Sequence, residues 1–88
     1  MALTLQATKA LFSRGEYGAI IAQSDLNRPS LQSLSSKHRL LIAQAAFQAG
    51  NIPVAADIVR REYALSPPPE LRARCEALLG LIERLVES

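Results

Sequence analysis

The feature that most limits what this chain can fold into is an internal repetition. At the constant offset that carries Gly15 onto Gly50, Leu5 to Ser24 overlies Leu40 to Val59, and Leu5 meets Leu40, Ala10 meets Ala45 and Phe12 meets Phe47. Both stretches run in the same order: small residue, aromatic, glycine, polar residue, apolar residue, and a small or aliphatic pair. Glycine enters the left-handed conformation that ends a helix, so a repeated unit centred on glycine predicts two helical hairpins. Such units cannot bury their apolar faces alone and stack into one continuous core. The chain has 88 residues, enough for one domain with a thin core.

The apolar spacing supports this reading. Leu3, Ala7, Ala10 and Leu11 recur at a helical period, with Leu5 and Phe12 on a neighbouring stripe. After Gly15 the period resumes through Tyr17, Ile20 and Ile21 to near Leu26, where Asn27, Pro29 and Ser30 interrupt it. Hairpin one is therefore expected over 2–28. Ser35 or Ser36 can cap a third helix, which Leu40, Leu41, Ala43, Ala45 and Phe47 carry to Gly50. Asn51 as cap and Pro53 in the first turn open a fourth helix, running to about Leu65, so hairpin two is expected over 35–66. On that helix Ala55, Ile58, Val59 and Tyr63 should face inward, and Arg60, Arg61 and Glu62 outward. Ser66 and the run Pro67, Pro68, Pro69 stop it, because proline removes backbone donors and disfavours helical geometry before it. A closing helix over 69–87 carries the stripe Leu71, Cys75, Leu78, Leu79, Ile82, Leu85 and Val86. The expected fold class is all-α, with about five helices.

The pattern resembles the tetratricopeptide repeat (TPR) family. Gly50, Ala55 and Pro67 stand at the family's spacing and Ala43 takes its small-residue place. The resemblance covers roughly Ala2 to Pro67 as two degenerate repeats, with 69–87 as a capping helix. It departs from the pattern at Thr8, where Gly or Ala is usual, at Ile20, where Ala is usual, and at Pro29, which comes early. It implies antiparallel hairpins in a right-handed superhelical or bundle-like stack, and a role in binding protein. Members that hold the C-terminal carboxylate of chaperones use Lys, Asn and Arg on successive first helices. Here the corresponding face offers Leu5, Lys9, Phe12, Leu40, Leu41, Gln44 and Phe47, mostly apolar, so that clamp is not carried over. First helices line the concave side of such a stack, which makes Leu5, Lys9, Phe12, Gln44 and Gln48 the candidate partner-binding residues. A generic helical bundle fits the same periodicity, because any helical hairpin needs a breaker at its turn.

The chemistry of the remaining residues narrows the function. Ten Lys and Arg against eight Asp and Glu give a net charge of +2, too little for a dense phosphate-neutralising surface. Arg60, Arg61, Arg72 and Arg74 could form a basic edge, but no aromatic residue is interleaved and Glu62, Glu70 and Glu76 are near in sequence. Lys37, His38 and Arg39 could bind an anion and are read as a solvated face. Cys75 could be a thiol activated by Arg72 and Arg74, and its place on the apolar stripe favours a small core residue instead. One cysteine and one histidine make neither an internal disulfide nor a four-ligand zinc site. Paired carboxylates, a Ser/His/Asp set and a Gly-rich phosphate loop are all missing, so no enzyme, cofactor or metal is expected. Met1 to Phe12 does not read as a secretory signal, and no apolar run approaches the ~20 residues that span a bilayer. The expectation is a non-catalytic, cytoplasmic domain that binds a helical or extended segment of a partner protein. The alternative is homo-oligomerisation or a structural role in a larger protein, and a nucleic-acid module is a distant third.

Overall fold

The computed structural model describes residues 4–23 and 32–87. Its helices are, in order, α1 (Leu5–Ser13), α2 (Tyr17–Gln23), α3 (Ser36–Gln48), α4 (Ile52–Ala64) and α5 (Pro69–Glu87), and no strand occurs among the described residues. The protein is all-helical, as the spacing predicts. The expected end of the second helix near Leu26 and the breaker at Asn27, Pro29 and Ser30 lie outside the described residues.

Local chemistry accounts for most helix boundaries. The Thr4 hydroxyl accepts the Ala7 N–H at 3.1 Å and caps α1, and the Ser35 hydroxyl accepts the His38 N–H at 3.2 Å and caps α3. Asn51 occupies the cap position of α4 but makes no side-chain cap bond. One of the two donors such a cap could take belongs to Pro53, which has no N–H. At Gly15 the Glu16 N–H returns to the Leu11 carbonyl and the Gly15 N–H to Phe12, both at 3.0 Å. At Gly50 the same pair recurs, Asn51 to Ala46 at 2.8 Å and Gly50 to Phe47 at 3.1 Å. With φ at 77° and 85°, both glycines close a Schellman motif, and this shared geometry is the physical content of the repeat. Ser66 has a φ of 55°, and its N–H bonds Tyr63 at 3.2 Å. Pro67 cannot supply the second bond, so the turn after α4 is a half-made version of the same cap.

The helices pack around α3, which lies against α1, α2, α4 and α5. Ala43, Ala45, Ala46 and Ala55 have no exposed surface, and their short side chains let α3 and α4 approach closely. Ile42, Ile58 and Val59 fill the space between, α2 contributes Ile20, and α5 contributes Leu71, Cys75, Leu78 and Ile82. Full burial of such aliphatic side chains stabilises by about 1.5–3 kcal/mol each. Cys75 is fully buried as expected, whereas Leu85, at the end of the expected stripe, is 52% exposed.

Two expectations need correction. Glu62 does not face solvent: it is 1% exposed. Its position explains why, since Ala55, Ile58, Val59 and Glu62 fall on one helical stripe. Lys37, His38 and Arg39 do not form a solvated face either, for His38 is buried and Arg39 half-buried. Successive helical residues point about 100° apart, so three neighbours in sequence are divided among three surroundings.

Candidate functional site

Two polar links tie the helices together before any surface is left for a ligand. The Thr8 hydroxyl, fully buried, donates to the Thr4 carbonyl at 2.9 Å and meets His38 Nε2 at 2.9 Å. Because its single proton goes to Thr4, the imidazole must present Nε2–H to the hydroxyl oxygen. Burial pushes the His38 pKa below its ordinary value, which keeps the ring neutral. Thr8, a departure from the repeat pattern, thereby holds α1 to α3.

The second link joins α3 to α4. Arg39 Nε and Nη2 bond the two carboxylate oxygens of Glu62, the latter at 3.1 Å. Arg39 also donates to the Leu34 carbonyl and, at 3.2 Å, to the Ser36 hydroxyl. Burial by itself raises the Glu62 carboxyl, but hydrogen bonds from Arg39 and Ser36 and the Arg39 charge outweigh it and hold the group below its ordinary value. This pair borders a hollow of about 450 Å³ lined by Gln32, Arg39, Ile58, Arg61, Glu62, Ala64 and Leu65. Arg39 and Glu62 neutralise one another, and Arg61 pairs with Asp57 at 3.2 Å, so the charges there are already satisfied.

A second depression, of about 230 Å³, brings α1, α3 and α5 together. Its lining is Leu5, Lys9, Lys37, Leu40, Leu41, Gln44 and Arg74. Three of the five expected partner-binding residues, Leu5, Lys9 and Gln44, thus meet at one place. Phe12 does not line it: its ring packs edge-on against Tyr17 with centroids 5.1 Å apart. Gln48 is exposed beyond it. Sequence reasoning missed Lys37 and Arg74 as members. Lys37 follows from the helical period, lying three and seven residues before Leu40 and Gln44 on the same face of α3. Arg74 comes from outside the repeat and had no such signal.

Arg61, Arg72 and Arg74 do not gather with Arg60 into one basic edge, in line with the carboxylates near them in sequence. Arg61 bonds Asp57, Arg72 lies 3.8 Å from Glu76 and 5.6 Å from the Tyr63 ring centroid, and Arg74 turns to the depression. Among the described residues no three His, Cys, Asp or Glu side chains gather as a metal site would require, and no helix is long and apolar enough to cross a membrane. Comparison with protein-family models, with curated proteins and with solved structures returns no match for this chain.

Proposed function

We propose that this domain is a non-catalytic protein-interaction module of TPR-like type, whose first helices offer a binding surface to a segment of a partner protein. The observation that carries the reading is the depression in which Leu5, Lys9 and Gln44 meet Leu40 and Leu41. It combines an aliphatic floor with polar groups at the rim, the composition that seats an amphipathic segment. The TPR-like arrangement is supported by the recurrence of the same glycine cap after α1 and α3 and by the buried Ala43 and Ala55 at the family's small-residue places.

The test is capture from a lysate of the protein's own cell, comparing the wild type with Lys9→Glu/Gln44→Glu. Lys9 is exposed and Gln44 half-buried, so the double change should move stability by no more than about 1 kcal/mol. A protein retained by the wild type and lost from the variant is the expected result. Equal retention by both would remove the depression from the interaction. Homo-oligomerisation is the second reading, favoured by the exposure of Leu65, Leu81 and Leu85 at 66%, 45% and 52%. A solution mass above that of one chain by light scattering would support it.

A further inference from the structure

Lys9 on α1, Lys37 in the first turn of α3 and Arg74 on α5 reach the rim of the same depression from three helices. All three are exposed. Among the described residues Arg14, Arg39, Arg61 and Arg72 each have a carboxylate within ion-pair distance, at Glu16, Glu62, Asp57 and Glu76. None of those carboxylates serves Lys9, Lys37 or Arg74, and among the described residues no acidic side chain lines the depression. In a chain whose net charge is only +2, three cations with no ion-pair partner among the described residues are therefore gathered around one aliphatic floor. Their mutual repulsion is relieved by any anion that enters.

We infer that the depression takes an acidic, leucine-bearing segment of a partner protein, with its aliphatic side chain on Leu5 and Leu41 above the buried Leu40 and its carboxylates against Lys9, Lys37 and Arg74. The inference rests on the protein-binding reading and adds the partner's charge to it. Arginine can grip a carboxylate through two parallel N–H bonds while the lysines act as point charges, so Arg74 would orient the segment and the lysines would retain it. A nucleic acid fits less well. Phosphate tracking pairs a cationic groove with aromatic platforms, and here the described lining holds no aromatic residue, while the Phe12 ring is engaged with Tyr17. A volume of about 230 Å³ receives one or two side chains, and its leucine floor has nothing to offer a sugar-phosphate backbone.

The probes are three labelled synthetic helical peptides of one length, rich in Leu and Glu, in Leu and Gln, or in Leu and Lys, with single-stranded oligothymidylate as a fourth, each titrated against the full chain by fluorescence anisotropy. The Glu peptide should bind, more tightly as salt is lowered, and the Gln peptide about tenfold more weakly. Lys37→Glu and Arg74→Glu should each weaken the Glu peptide by roughly fivefold or more, leave the melting curve unchanged, and together shift preference to the Lys peptide. Failure of the Glu peptide to bind, equal binding of the Glu and Gln peptides, or tighter binding of oligothymidylate overturns the inference. Lysate capture separates this from the broader reading. Capture that is lost in Lys9→Glu/Gln44→Glu but unaffected by Lys37→Glu/Arg74→Glu rejects an acidic partner and retains protein binding at the depression, whereas capture indifferent to all four changes rejects the depression as the binding site and the acidic partner with it.

Discussion

Replacing Arg39 by Met tests whether the α3 to α4 link is a structural ion pair or a surface one. The Glu62 side chain is 1% exposed and that of Arg39 15%. Arg39→Met strands a carboxylate that keeps its hydrogen bond from Ser36, and breaking a buried pair in this way costs about 3–5 kcal/mol. A chain of this size has roughly 4–13 kcal/mol of total stability at typical values per residue, so the loss should be plain in a urea melt and worth on the order of 20 °C in Tm. Glu62→Met should cost less, about 1–3 kcal/mol, because Arg39 keeps its bonds to Leu34 and Ser36. The double variant should be more stable than Arg39→Met alone, since apolar replacements for a buried pair are often neutral.

The pH dependence supplies a second arm. In the wild type the Glu62 pKa is held below its ordinary value, so its contribution is present above the unfolded value and lost as pH falls through the native one. In Arg39→Met burial dominates and raises the group, so the variant gains relative to the wild type as pH is lowered through that raised value. A loss under about 1 kcal/mol, a double variant worse than Arg39→Met, or a gap that widens at lower pH would refute this account.

Four further outcomes are expected. Thr8→Val removes the acceptor for the buried His38 Nε2–H and should cost about 1–3 kcal/mol by urea melting. Because burial lowers the His38 pKa below 6.5, the wild type should lose stability as pH falls from that value through the native one, and Thr8→Val/His38→Leu should lose less over the same window. Cys75, buried and with its thiol pushed up by burial and by Glu62 and Glu76, should react with an aromatic disulfide reagent far more slowly in native buffer than in urea; equal rates would contradict its place in the core. Truncation after Ser66 uncovers the face that Leu71, Cys75, Leu78 and Ile82 close, and the product should show no cooperative melt, whereas a sharp transition would make α5 an appendage.

The parts of the fold that were legible act through backbone geometry or period. Gly15 and Gly50 end helices because of the conformations only glycine enters easily, and this does not depend on tertiary neighbours. The α5 stripe through Ile82 follows from spacing alone. What residue type suggested was less secure. Glu62 carries a charge, and charge suggested solvent, while its place in register with Ala55, Ile58 and Val59 put it inside. His38 and Arg39 escape the sequence pattern for a related reason: neighbours in sequence are not neighbours in space on a helix. Ser66 in a left-handed conformation had no signal, because serine does not demand it. At the candidate site, Lys9 and Gln44 were brought together by the repeat, and Arg74 could not be, since the orientation of a helix outside the repeat is decided by packing.

The position of α3 also bears on how such a sequence can diverge. Four helices lean on it, and three of its alanines have no exposed surface. A larger residue at Ala43, Ala45 or Ala46 must displace a neighbouring helix, and over-packing of this kind typically costs about 1–3 kcal/mol. Exposed positions such as Arg60 or Glu83 carry no comparable constraint and can drift within about 0.5 kcal/mol. Descendants of this chain should therefore differ most along the outer faces of α4 and α5 while a run of small residues persists in the middle. Duplication is constrained in the same way: a further hairpin can be added beyond α5, where Leu81 and Leu85 are still exposed, more readily than one can be inserted beside the alanine helix, whose neighbours already occupy its sides.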